Sequence, residues 1–225
     1  MVRNISCLML LIVCLSHTDV YPYRPFTTED AGVGELGEQK IEMGFTGSKQ
    51  NEYWYNYIAF LYGIGLGKAE ILVETPYCIN EDARGLDGVI LAAKINILGI
   101  DEDTGMLAAK VGYELPDDCY GVSAIVTKKF GTLVIHSQIG LKRHFNDTIV
   151  LFGLGFDYQI VQHFSVIIDN FSEYEVDTMY HRILTGIVYS INNVATLDIA
   201  AGYCYANNHN NYKEYVSVAG ISFVF

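Results

Sequence analysis

The chain has 225 residues, a formal net charge of -12 and a sequence pI near 4.8. So large a surplus of carboxylates excludes a nucleic-acid footprint, which needs clustered Lys and Arg, and a polybasic membrane-surface protein. Hydrophobic residues make up 51% and aromatic residues 13%, with 21 Gly and 17 Tyr against 4 Pro; their even spread favours one membrane β-barrel domain over a soluble β-sandwich or soluble barrel.

The chain opens with Arg3 and an apolar stretch over 5–15, followed by Ser16 with Cys14 two positions before it. A positive start, a short apolar run and small residues at the cut read as a cleaved signal peptide over 1–16, with a site nearer Val20 as the alternative. The run is too short to cross a bilayer as a helix. Val13 stands where a lipoprotein signal needs a small residue before the cysteine, which argues against lipidation. Residues 17–37 are then expected as an N-terminal periplasmic segment and 38–225 as a transmembrane β-barrel.

From residue 38 onward, apolar residues alternate in runs of strand length. The runs fall at 38–47, 53–62, 66–75, 88–98, 105–115, 120–129, 132–144, 148–160, 163–172, 181–191, 195–205 and 214–225. A tilted membrane strand needs about nine to eleven residues. The pattern predicts an all-β fold: an antiparallel up-and-down meander of about 12 strands, both termini periplasmic. Tight turns at 63–65, 99–104, 130–131, 161–162 and 192–193 alternate with outer loops at 48–52, 76–87, 116–119, 145–147, 173–180 and 206–213, several of them long and acidic. Glu81, Asp82, Asp87, Asp117, Asp118, Glu175 and Asp177 fall in those loops. An acidic mouth of this kind would steer cations rather than anions, unless it is simply a solvated surface.

Within the runs the faces separate. Leu91, Ala93, Ile95 and Ile97 stand opposite Ala92, Lys94 and Asn96; Leu133, Ile135, Ile139 and Leu141 stand opposite His136, Gln138, Gly140, Lys142 and His144. In a membrane barrel the apolar face meets lipid and the polar face lines the lumen; a soluble barrel has the opposite sense. The leader, the strand lengths and aromatic ends such as Tyr53, Trp54, Tyr55 and Tyr57 choose the membrane sense. The expected lumen then carries Glu42, Glu70, Glu74, Lys94, Lys110 and Glu114 in its first half. His136, Lys142, Asp157, Asp169, Arg182 and Asp198 follow in its second. Buried charges must pair or stay hydrated, so these residues form either a selective conduit or a salt-bridged filling of the barrel.

The last run closes on Phe225 with Tyr215, Ile221 and Phe223 on the same face. Tyr215, Phe223 and Phe225 resemble the C-terminal aromatic signal that outer-membrane barrels present to their assembly machinery. Of five cysteines, Cys7 and Cys14 lie in the leader. Cys78, Cys119 and Cys204 remain, an odd number without metal-ligand spacing, and read as isolated small apolar residues; a Cys78–Cys119 pair stays open. No metal or cofactor is implied.

Two stretches carry a family resemblance. Arg24-Pro25-Phe26-Thr27-Thr28-Glu29-Asp30-Ala31, followed by Gly37 and Ile41-Glu42, is similar to the mature start of the meta-pathway-of-phenol-degradation family of outer-membrane β-barrel transporters. The later Leu151–Tyr158 and Ala195–Gly202 stretches, the early strand from Gly88 to Ile95 and the terminal strand resemble it too. Shorter loops, and Val224 where the family usually has a basic residue, depart from it. The resemblance implies a barrel that moves hydrophobic or aromatic compounds. The expected function is therefore passive passage of small molecules through an outer-membrane channel of a Gram-negative-type bacterium. Its expected partners are outer-membrane lipid, the barrel-assembly machinery and a small-molecule cargo of unknown identity, with no nucleic acid and no enzymatic activity. Two alternatives stand beside it: a closed structural or adhesive barrel acting through its loops, and a rim enzyme built around His144 and Asp147.

Overall fold

The computed structural model describes residues 28–225, apart from 51–52, 81–83, 87, 100, 117, 145–146, 176–177 and 208–211, and apart from the side chains of 50, 53–55 and 212. The strands are β1 (Gln39–Gln50), β2 (Tyr53–Gly65), β3 (Ala69–Cys78), β4 (Gly85–Leu86), β5 (Val89–Leu98), β6 (Met106–Leu115) and β7 (Cys119–Phe130). They continue as β8 (Leu133–His144), β9 (Asp147–Val161), β10 (Phe164–Glu175), β11 (Thr178–Ser190), β12 (Ala195–Asn207) and β13 (Tyr212–Val224). The two-residue β4 only extends the far end of β3, pairing with Tyr77 and Cys78. The other twelve pair antiparallel with their neighbours in chain order, and β1 pairs with both β2 and β13. The ring is thus closed, as the alternation predicted, and among the described residues no barrel strand is left with an unpaired edge.

Closure is completed by the terminal residue. The Phe225 amide donates to the Gln39 carbonyl at 2.9 Å, and the Gln39 amide donates to the Phe225 carbonyl at 2.7 Å. Several turns at this end depend on glycine. Between β7 and β8 the hairpin has two residues, 131–132, and Gly131 takes a φ of 63° with open space around it. Such tight hairpins need a left-handed residue, which glycine supplies without steric cost.

The two faces are sorted as the alternation requires. Ile95, Val111, Ile139 and Ile199 point outward and are 51%, 54%, 59% and 55% exposed. Lys94, Glu70, Thr127 and Asp169 point inward and are buried. Large apolar side chains left open around the whole outer wall, with buried charges inside, are the inverse of a soluble barrel.

Boundaries differ from expectation in a consistent direction. β2 runs through 63–65, so the first tight turn is 66–68, and the third run starts at Ala69 rather than 66. At the opposite end β1 continues to Gln50, β10 to Glu175 and β11 starts at Thr178, so the stretches expected as loops at 48–52 and 173–180 are largely strand. Polar and acidic residues there keep their ladder pairing, as Glu173↔Tyr180 and Tyr174↔Met179 do, because polarity at a wet barrel rim does not break a strand. The larger correction concerns the N-terminal segment. The stretch 17–37 was expected to precede the barrel on its periplasmic side, yet its residues 28–31 lie inside the ring. Residues 1–27, with the expected signal peptide, are outside the described residues, as are the side chains of Tyr53, Trp54 and Tyr55.

Candidate functional site

The site is the barrel interior, and its wall is built by register. Direct cross-strand partners share a face, so inward neighbours can be followed around the ring: Glu70↔Lys94, Lys94↔Lys110 and Lys110↔Ser123. A second row runs Ile125↔Gln138, Gln138↔Gly153 and Gly153↔Phe171.

The register puts all twelve expected lumen residues on the inner face. Glu42, Glu70 and Lys94 form one network with Lys40, which sequence reasoning did not single out. The Lys40 Nζ lies 3.6 Å from Glu42 and 3.1 Å from Glu70, whose other oxygen is 3.3 Å from Lys94. Lys142 pairs with Glu114 at 3.0 Å. Glu74 stands opposite inward-facing Leu61, Asp157 opposite Ile167, Arg182 opposite Phe171 and Asp198 opposite Val188. The Nδ1 of His136 is 3.0 Å from the Thr127 hydroxyl. Tyr215, Phe223 and Phe225 belong to the outward face of the closing seam, and Tyr215 meets Tyr203 edge-on with ring centroids 5.7 Å apart. Cys78, Cys119 and Cys204 are free thiols, which answers the open pairing. His144 and Asp147 stand opposite each other at the β8–β9 end. No cluster with metal-ligand geometry occurs among the described residues.

The middle of the ring is occupied by Thr28–Ala31. The Thr28 amide donates to Asp169 at 3.2 Å on β10, the Glu29 amide to the Gln138 side-chain oxygen at 3.1 Å on β8, and the Ala31 amide to the Thr127 hydroxyl at 2.8 Å on β7. Lys94 donates to the Asp30 carbonyl at 3.4 Å, and the Glu29 carboxylate pairs with Lys110 on β6. Ala31 is fully buried against Met106, Ala108 and Ile125. Gly153 makes room for the segment: a Cβ there would stand 2.5 Å from the Thr28 hydroxyl. Each of these amides is an orphan donor that burial would penalise, and each is satisfied by a wall side chain. The partners are 96 to 141 residues away in sequence, so no local signal announced them.

The interior is also two-sided. Ile167, Leu184, Val188, Ala200, Val216 and Val218 form an apolar cluster on β10–β13. In the ring order β12 stands six places from β6, so this cluster lies across the barrel from Lys110. At the turn end, residues 101–105 lie against the end of β7. The Lys129 amide donates to the Glu102 carbonyl at 2.9 Å, and Lys128 donates to the Asp103 carbonyl. That fold buries Glu102, whose Oε2 has no hydrogen-bond partner. Burial, reinforced by the nearby carboxylate of Asp30 and more weakly by those of Asp157 and Asp103, pushes its pKa up to about 7 against the pull of Lys129.

A closed twelve-stranded antiparallel barrel, apolar outside and charged inside, is the architecture of an outer-membrane β-barrel. The structure is similar to the COG4313 outer membrane channel from Pseudomonas putida F1, with a TM-score of 0.69 at 13% identity over 92% of this chain and 100% of that one. It is also similar to the NanC porin (TM-score 0.62, 11% identity, 80% of this chain and 98% of that one) and the KdgM porin (0.61, 8%, 82% and 99%). At these identities the likeness establishes the fold. No protein-family model matches the sequence, and no curated protein matches it.

Proposed function

We propose that this protein is an outer-membrane channel or transporter for small molecules, closed at rest by its own N-terminal segment. The observation that carries the reading is that the middle of the barrel is filled by a peptide rather than by wall side chains alone. Thr28–Ala31 is held by four hydrogen bonds and one ion pair. Each such hydrogen bond contributes of order 1 kcal/mol net, so a segment held by so few contacts can be displaced without unfolding the wall. The outward apolar belt supports insertion in a bilayer, and the leader-like start supports export to the outer membrane of a Gram-negative-type bacterium. Both termini then face the periplasm, and the Phe225 strand serves as the assembly signal. The apolar cluster on β10–β13 supports the expectation, drawn from the phenol-degradation family resemblance, of an apolar or aromatic cargo.

One observation favours the closed structural barrel instead. The Lys40–Glu70–Lys94 and Lys142–Glu114 pairs are rungs across the wall, of the type that fills small closed barrels. Single-channel conductance separates the readings. The refolded mature protein in planar bilayers should conduct weakly, and a variant lacking 17–31 should conduct several-fold more. A folded, heat-modifiable barrel that stays silent in both forms rejects the channel.

A further inference from the structure

The inner wall carries a pair of lysines in an unfavourable place. Lys94 and Lys110 are direct cross-strand partners on β5 and β6. Like charges directly opposite repel, and more so inside a barrel than in water. Lys94 is neutralised by the wall itself, through Glu70. Lys110 is not: among the described residues its ion partner is Glu29, which belongs to the segment and not to the wall. When the segment leaves, the wall keeps an uncompensated cation at mid-depth. Across the ring stands the apolar cluster of β10–β13, including Leu184, Val188 and Ala200.

We propose that Lys110 is the anchor of a carboxylate-binding site, that Glu29 occupies it in the closed state as an internal stand-in, and that the cargo is a small monocarboxylic acid with an apolar body. This inference rests on the channel reading above. The carboxylate of the cargo takes the place of the Glu29 carboxylate on the Lys110 ammonium, and its apolar body extends into the lumen toward the β10–β13 side. Cargo binding and release of the segment are then one competition for one cation, and the ligand shifts the equilibrium by its affinity for the open form alone. The site is reachable: the side chains of Lys110 and Glu29 remain 22% and 25% exposed, whereas that of Lys94 is fully covered. The acidic residues at the far rim, such as Asp118 and Glu175, slow the approach of anions without cancelling a local pair, because exposed charges are screened over about 8 Å at physiological salt.

The test uses benzoate, with benzyl alcohol as the uncharged analogue of similar shape, on the refolded full-length mature protein. Calorimetric titration in detergent should show benzoate binding to wild type and no comparable heat from benzyl alcohol. Glu29→Gln removes the competitor and should bind benzoate about tenfold more tightly, as for a site that its own plug leaves free a tenth of the time. Lys110→Gln should lose benzoate binding while remaining a heat-modifiable barrel. In planar bilayers benzoate should raise the open probability of wild type several-fold and leave Lys110→Gln unchanged. Unaltered affinity in Glu29→Gln, retained binding in Lys110→Gln, or equal binding of benzyl alcohol overturns the carboxylate site. If the variant lacking 17–31 conducts and any of those results is found, this inference alone fails. If that variant is silent, the channel reading fails first.

Discussion

At the scale of single residues, two positions bear on the proposed closure of the lumen. Glu102 is an acid buried beside Asp30, Asp157 and Asp103, with Lys129 as the opposing cation, and its pKa rises from the ordinary 4.5 to about 7. A raised acid pKa means that the folded turn prefers the protonated form. The stability contributed by that preference is fully present below pH 4.5 and is lost as the pH climbs through about 7, a change of about 3 kcal/mol. The turn against β7, and with it the Asp30 end of the segment, should therefore be held more firmly in acid. Conductance should increase from pH 5 to pH 8, and Glu102→Gln should stay at the low acid level throughout. Equal pH profiles for the two proteins would mean that Glu102 does not govern the mouth. Gly153 acts by its missing side chain. A Cβ there would meet Thr28 at 2.5 Å, 3.0 Å and 3.1 Å, all of them atoms of the segment and none of the wall. Gly153→Ala should thus raise basal conductance with little loss of barrel stability, and adding Thr28→Gly should restore closure. By contrast, a Cβ at Gly202 would stand 1.9 Å from the Ile183 carbonyl oxygen, so Gly202→Ala should damage the barrel itself.

At the scale of elements, the wall is stabilised by pairs that cross strands. Glu70 on β3 serves Lys40 on β1 and Lys94 on β5 together. Removing it takes from two buried cations, Lys40 and Lys94, the carboxylate that they share. Breaking a buried pair from one side costs about 3–5 kcal/mol. Glu70→Ala should accordingly shift the unfolding midpoint in urea well below that of wild type, and a midpoint within error of wild type would show these charges to be hydrated in solution. The strands and their faces were legible because a period of two repeats twelve times, and each inward Lys, Glu, Asp or His sits in step with outward Ile, Val or Phe. Strand ends were less legible. Glu173 to Tyr180 reads as loop by polarity, yet register is set by the partner strand, and the ladder continues to Glu175↔Thr178. The segment Thr28–Ala31 was not legible as part of the lumen at all. Thr-Glu-Asp-Ala is ordinary loop chemistry, and its position is fixed by Asp169, Gln138, Thr127 and Lys110 on four separate strands. Only Asp169, Lys110 and Gln138, placed on the inward polar face by the alternation, hinted that something polar had to face them.

At the scale of the whole molecule, the open question of sense is which end of the barrel faces out. Loop length gives little help, because strand extension leaves most connections at both ends short; 79–88 at one end and 99–105 at the other are the long ones. Topology is more informative. An even number of strands puts both chain ends on the same side, and Gln39 and Phe225 are hydrogen-bonded to each other there. The segment that fills the lumen enters from that side, since Gly37 donates to the Gly65 carbonyl at 2.9 Å just before the chain reaches β1. On the proposed periplasmic placement of both chain ends, 79–88 should face the exterior and 99–105 the periplasm. Arg84 and Asp103 are both exposed at these two ends. With Cys78, Cys119 and Cys204 replaced by alanine, Arg84→Cys should react with a membrane-impermeant maleimide on intact cells. Asp103→Cys should react only after the outer membrane is permeabilised. The opposite pattern would invert the barrel, and the segment that plugs the lumen would then be a lid against the outside rather than a gate worked from the periplasm.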